Sequence, residues 1–216
     1  MQSTRVYLVR HGQVEGHEQT RYNGQTNVAL TALGKRQSAY LGRRLRAEPI
    51  RAVYSSDLDR TMYAAELIAT QHGLDVQADA VLRELDAGLW EGKTWTELRT
   101  RYPEDWFARL RDLVHYSAPG GESFQDVADR VRPFVHTLIE RHVGESIVLV
   151  AHGGVNRVIL LDAIGAPLDR AFAIEQDYCC LNIIDYAVDG SRLVRLLNGS
   201  FADDASRPAP ALTLVR

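Results

Sequence analysis

The chain has 216 residues, enough for one fairly large domain with a substantial buried core. Its hydrophobic fraction of 45% and charged fraction of 25% are those of an ordinary globular protein, which excludes a fibrous or disordered class. A formal net charge of -3 gives no general attraction to nucleic acid or an anionic membrane, so an anionic substrate would need a locally basic pocket.

In chain order, the first strong signal is the apolar run Val6-Tyr7-Leu8-Val9, which stops at Arg10-His11-Gly12. Such a run suits a central parallel strand covered on both faces. Leu33, Gln37, Tyr40, Leu41 and Leu45 then mark one face of a helix, with Thr31 as its N-cap. Ala52-Val53-Tyr54 reads as a second strand, ending in Ser55-Ser56-Asp57. Leu58, Met62, Ala65 and Ala69 mark a second helix, which Gly73 ends.

Residues 93–121 break the alternation, and their Trp, Arg and Tyr-Pro content predicts a helical insertion over one end of the sheet. Phe124, Val127, Ala128, Val131, Val135 and Leu138 mark a further helix that Pro133 should kink or divide. Ile147-Val148-Leu149-Val150-Ala151 repeats the central-strand pattern and stops at His152-Gly153-Gly154. Leu181 to Tyr186 and Leu193 to Leu197 flank Asp189-Gly190, a hairpin signal.

Strands alternating with helices imply an α/β three-layer sandwich, with a mostly parallel, doubly wound sheet and an antiparallel edge from the hairpin. Residues 1–201 read as a single domain and 202–216, with Pro208 and Pro210, as a loosely attached tail. No apolar run approaches the ~18 residues of a membrane span. The start, Met1 to Arg5, lacks the apolar core of a signal peptide. Adjacent Cys179 and Cys180 are poorly placed for an ordinary disulfide and read as small hydrophobes in a reducing compartment. The expectation is a cytoplasmic protein with no nucleic-acid or membrane partner; a homodimer is left open.

Ligands of open α/β sheets bind beyond the carboxyl ends of the strands. His11 and His152 stand at two such ends, each followed by glycine, which lets backbone N–H groups approach an anion. Arg10 precedes the first histidine, and Arg60 opens the helix after the second strand. Arginine matches phosphate oxygens bidentately and stays charged at any relevant pH. Two arginines and a protonated histidine would balance a phosphoryl dianion without magnesium.

Five elements occur in order: Leu8-Val9-Arg10-His11-Gly12; Ser55-Ser56-Asp57-Leu58-Asp59-Arg60-Thr61; Leu82-Arg83-Glu84-Leu85 with Gly88-Leu89-Trp90-Glu91-Gly92; Gly120-Gly121-Glu122-Ser123; and Val150-Ala151-His152-Gly153-Gly154. Together they closely resemble the histidine phosphatase superfamily, which includes cofactor-dependent phosphoglycerate mutases, from about residue 5 to about residue 200. The resemblance implies a phosphoglycerate mutase-like fold. It makes His11 the nucleophile that becomes a phosphohistidine. Arg10, Arg60 and His152 would bind the phosphoryl group, with Gly153 beside them.

Glu84 resembles the family's proton donor, for which it should sit partly desolvated with a raised pKa. The stretch Arg21-Tyr22-Asn23-Gly24-Gln25-Thr26 resembles a loop that closes the phosphate site, which nominates Asn23 and Gly24. Two positions depart from many relatives: Gln13 stands where an acidic residue is common, and His17 where Asn is.

The bland alternatives are specific. Arg60 could be a solvated arginine paired with Asp57 or Glu66, and Asp86 or Glu91 could be mistaken for the acid. Trp90, Trp95, Tyr102 and Trp106 could line a cavity or simply pack the insertion. A metal site from His11, His17 and His152 lacks ligand spacing, and the flanking arginines would repel a cation. The function expected is therefore metal-independent and cofactor-free hydrolysis of a small phosphomonoester. The Gly-Leu-Trp-Glu-Gly form resembles the phosphatase branch, including phosphatases acting on α-ribazole phosphate. A phosphoglycerate mutase is the alternative, and a non-catalytic phosphate-ligand-binding protein the second.

Overall fold

The computed structural model describes residues 2–200, so the tail expected at 202–216 lies outside the described residues. Six strands form one sheet: β1 (Ser3–Arg10), β2 (Ile50–Ser55), β3 (Val76–Ala78), β4 (Ser146–Ala151), β5 (Leu181–Ala187) and β6 (Arg192–Gly199). Their order is β3-β2-β4-β1-β5-β6. β3, β2, β4 and β1 run parallel, and β5 and β6 add an antiparallel edge. This is the expected sheet.

The near-continuous apolar strands follow from burial on both faces. In β1, Val6 and Leu8 enter one core with α5 (Phe124–Arg141) and α6 (Gly153–Ile164), through Val127, Val131, Val155 and Leu160. Tyr7 and Val9 enter the other with α1 (Ala32–Leu45) and α2 (Asp59–His72), through Leu41, Leu45, Ala64 and Ile68. In β4, Ile147 and Leu149 share the first core, and Val148 and Val150 the second. Period-two alternation thus supplies both layers, each buried aliphatic side chain contributing about 1.5–3 kcal/mol.

The Thr31 hydroxyl accepts the Gly34 N–H at 2.9 Å and caps α1 as expected. Gly73 closes α2. Pro133, by contrast, does not divide its helix: α5 is one element of 18 residues. Pro133 and Asp129, whose carbonyl loses its helical donor, are both exposed, so water can satisfy that carbonyl and the helix continues. β3 was not anticipated, because it has only three residues and two of them are exposed. Between β3 and α5 lie two short helices, α3 (Trp95–Arg101) and α4 (Pro103–Arg111).

Candidate active site

β1 and β4 lie side by side, with Arg10 opposite Ala151. The chain leaves β1 for α1 on one face and leaves β4 for α6 on the other, which makes their carboxyl ends a topological switch point. His11 and His152 are the first residues beyond these two ends, and their ring centroids are 5.2 Å apart. Backbone bonds from His11 N–H to the Ala151 carbonyl (3.1 Å) and from Cys179 N–H to the His11 carbonyl (2.9 Å) hold the first histidine in place.

His11 is buried, and its Nδ1 lies 2.8 Å from the Gly12 carbonyl. A carbonyl can only accept, so Nδ1 carries the hydrogen and a neutral ring keeps its lone pair on Nε2. Burial, reinforced by the charges of Arg10 and Arg60, holds the His11 pKa well below its ordinary value. The ring is therefore neutral, with the lone pair of Nε2 available.

His152 is fully buried, with Nε2 2.9 Å from the Ser56 hydroxyl. That hydroxyl accepts the Leu58 N–H at 3.4 Å and has no other acceptor for its hydrogen among the described residues, so donating it to His152 Nε2 satisfies the hydroxyl and places the ring hydrogen on Nδ1. Nδ1 is buried without a hydrogen-bond partner among the described residues, a donor free for an anionic oxygen. The environment of His152 runs against the expectation of a protonated histidine. Burial first, then Arg60, pushes the His152 pKa well below the imidazole range.

Arg60 is only 2% exposed. Its Nη1 donates to the Thr26 carbonyl (2.8 Å) and its Nη2 to the Gly24 carbonyl (2.6 Å). Asp57 pairs instead with Arg83, so the solvated ion-pair reading of Arg60 fails. Carbonyls orient a guanidinium without neutralising it. Arg10 bonds the Gln176 carbonyl and stacks 4.2 Å over the Tyr178 ring. Both arginines have a buried Nε without a partner, and neither joins an ion pair among the described residues.

Gly24 is thus brought to the site through its carbonyl. The Asn23 side chain makes no hydrogen bond among the described residues, and its carbonyl closes a turn onto Thr26 N–H (3.1 Å). Gly153 opens α6, with the guanidiniums of Arg10 and Arg157 alongside. Gln13 bonds Thr31 at the start of α1, and His17 lies 3.5 Å from Glu18. The two departures from the family pattern face their own loop.

Glu84 is half-buried and carries the carboxylate that meets α6. Its Oε2 accepts the Gly154 N–H (3.0 Å) and its Oε1 the Leu85 N–H (2.9 Å). The neighbouring acids are engaged elsewhere. Asp86 accepts the Gly88 N–H, and Glu91 accepts the Gln25 N–H and the Thr26 hydroxyl.

Ser56, Gly154, Gln176 and Tyr178 were not singled out from the sequence as site residues. Ser56 and Gly154 stood inside quoted motifs, whereas Gln176 and Tyr178 belong to an irregular stretch after α6 with no pattern to flag them. Trp90 and Trp106 are buried and pack with Tyr22, Trp95 and Tyr116, so they build the insertion's own small core. A cleft of about 800 Å³ beside α3, lined by Arg21, Trp95, Glu97 and Arg99, contains none of the residues around the histidine pair. Among the described residues no group of three or more His, Cys, Asp or Glu side chains is placed to hold a metal ion. No described helix is long and apolar enough to cross a membrane.

Comparison with known proteins gives the family. Residues 6–199 match the histidine phosphatase superfamily (branch 1). The bifunctional protein Rv2228c of Mycobacterium tuberculosis is 38% identical over 199 residues, covering 90% of this chain and 54% of that protein. The chain therefore spans about half the length of that relative. A Citrobacter koseri protein named "Probable phosphoglycerate mutase GpmB" is 36% identical over 182 residues, covering 84% of each chain. The α-ribazole phosphatase of Shigella flexneri superposes with a TM-score of 0.83 at 29% identity, over 90% of this chain and 96% of that one. The mycobacterial glucosyl-3-phosphoglycerate phosphatase Rv2419c does so with a TM-score of 0.83 at 27% identity, over 92% and 100%.

Proposed function

The chain belongs to the histidine phosphatase superfamily, and on that premise we propose that it hydrolyses small phosphomonoesters, without a metal ion, through a phosphohistidine at His11. The observation that carries the reading is the buried neutral His11, with its Nε2 lone pair available, set among two arginines that join no ion pair among the described residues.

In the first step the Nε2 lone pair forms a bond to phosphorus as the ester P–O bond breaks, and protonated Glu84 gives its proton to the departing alkoxide. In the second, Glu84 takes a proton from water, the water oxygen bonds phosphorus and the P–N bond breaks. This releases phosphate and restores neutral His11. Arg10, Arg60 and the free Nδ1–H of His152 bind the equatorial oxygens, where charge is concentrated in the transition state. An oxygen bound there also lifts the His152 pKa, because it offsets the cations that depress it.

Hydrolysis is favoured over mutase transfer by the insertion. A mutase must grip a second anionic end of its ligand, and three of the four arginines of α3 and α4, Arg99, Arg101 and Arg111, are exposed. The names of the two superposed phosphatases point the same way, while that of the Citrobacter relative keeps the mutase as the second reading. The test is turnover, in EDTA, of 4-nitrophenyl phosphate, α-ribazole phosphate and 3-phosphoglycerate. Release of inorganic phosphate is expected, and the best ester indicates the pathway. Bisphosphoglycerate-dependent interconversion of phosphoglycerates with feeble hydrolysis would establish the mutase. No turnover of any kind would leave a phosphate-binding protein.

A further inference from the structure

Glu84 stands on backbone that no strand or helix holds: residues 83–87 run between two single-turn 3-10 helices. A proton donor must nevertheless be held within a few tenths of an ångström of its acceptor. Something outside the segment must supply that rigidity.

We infer that Arg130 and Glu122 are positioning residues that set Glu84 for proton transfer, by clamping its backbone to α5. Arg130, one side of α5, directs its whole guanidinium at this segment. Nη2 donates to the carbonyls of Arg83 (2.9 Å) and Glu84 (3.3 Å), and Nη1 to that of Val81. Nε donates to Glu122 Oε1 (2.7 Å), and Nη2, whose two hydrogens are shared among three acceptors, also reaches Glu122 Oε2 (2.9 Å).

Glu122 closes the clamp from the other end. Its Oε2 accepts the Asp86 N–H (2.9 Å), and its own N–H donates to the Asp86 carbonyl (2.8 Å). The segments meet backbone against backbone: a Cβ on Gly121 would overlap the Asp86 carbonyl, and one on Gly88 the Pro119 carbonyl. Glu122 is in turn fixed to α5 by the reciprocal Ser123–Asp126 capping box, with Ser123 N–H to Asp126 Oδ2 at 2.8 Å. Rigidity therefore passes from a helix packed on the sheet, through one ion pair, to the two peptide units that flank Glu84.

An ordinary ion pair of this kind would contribute a little stability and nothing else. Arg130–Glu122 differs in what it bonds: the carbonyls of Arg83 and Glu84 in the acid's own segment, and that of Val81 in the turn before it. If the clamp positions the acid, loosening it must harm most the esters whose leaving group needs a proton.

This rests on Glu84 as the proton donor, so Glu84→Gln is the reference. The measurement is kcat/KM, which reports the phosphorylation step, for glycerol phosphate and for 4-nitrophenyl phosphate, whose leaving group departs without a proton. Arg130→Lys keeps the charge but cannot span three carbonyls and a carboxylate. Glu122→Gln keeps the shape, and decides the matter should Arg130→Lys fail to fold. Both variants are expected to lose roughly tenfold or more on glycerol phosphate beyond any loss on 4-nitrophenyl phosphate. In the Glu84→Gln background, neither should widen that difference further. Equal losses on both esters, or none on either, in folded variants while Glu84→Gln alone discriminates, would overturn the positioning role. A Glu84→Gln enzyme that slows both esters equally would instead remove Glu84 from the acid role, and the clamp's purpose with it.

Discussion

His152 and Ser56, 96 residues apart in the sequence, are joined by a hydrogen bond of 2.9 Å at the mouths of two neighbouring strands. The bond dictates which ring nitrogen of His152 faces a ligand, because Ser56 engages Nε2 and leaves Nδ1–H unpaired. Ser56→Ala frees the ring to rotate or change tautomer and leaves a second buried polar atom without a partner. A loss of about 1–3 kcal/mol is expected in transition-state binding, roughly 5- to 150-fold in kcat/KM. Ser56→Thr should recover much of it. An Ala variant within twofold of wild type would mean that Ser56 only caps the start of α2.

Arg60 is held by two carbonyls and joins no ion pair among the described residues, so its charge, felt by Glu84 and Glu91 without a direct bond, can be shared with a phosphoryl group. Removing one charged transition-state contact costs about 2.7–4 kcal/mol. Arg60→Ala should therefore lower kcat/KM by two to three orders of magnitude, and Arg60→Lys should restore little, since a compact ammonium lacks the planar fork that spans both carbonyls while presenting further donors to a ligand. A loss below about tenfold would assign Arg60 to the fold.

Gly154 reports on Glu84 from the opposite side to the clamp. A Cβ at position 154 would overlap the Glu84 carboxylate, whose flexible end can yield without unfolding the protein. Gly154→Ala should displace the carboxylate, and slow alkyl phosphates more than nitrophenyl phosphate. Equal slowing would mean that the bond from the Gly154 N–H has no part in proton transfer.

Both histidines are buried with depressed pKa values. Below the unfolded value of about 6.5, the unfolded chain binds protons that the folded chain refuses, so stability is lost as pH falls from neutrality. The slope approaches about 1.4 kcal/mol per pH unit for each histidine. Between about pH 6.5 and 5, above the range where the paired carboxylates titrate, His152→Gln should flatten the dependence measured by urea unfolding. An unchanged slope would mean that the ring already takes up a proton in the folded state.

Much of the fold was legible because its strands are buried on two faces. The runs at Val6 and Ile147 needed no partner information to be recognised, and both end at the histidines that the sheet brings together. Thr31 and Gly73 marked helix ends by local chemistry alone. Pro133 leaves its helix undivided for a tertiary reason, since exposure lets water satisfy the carbonyl that loses its donor. Asn23 was nominated by position in a family loop, but the loop reaches Arg60 through the carbonyls of Gly24 and Thr26, which any side-chain pattern hides. Tyr178 and Gln176 reach Arg10 from an irregular segment, where neither period nor motif exists to be read.

The most direct test of the account is to trap the phosphoenzyme. Wild-type protein quenched during turnover of a labelled phosphomonoester in EDTA should carry alkali-stable, acid-labile phosphate on His11, and His11→Ala should show neither label nor turnover. Label retained in the His11→Ala protein, or turnover by wild type with no label at all, would contradict the phosphohistidine route.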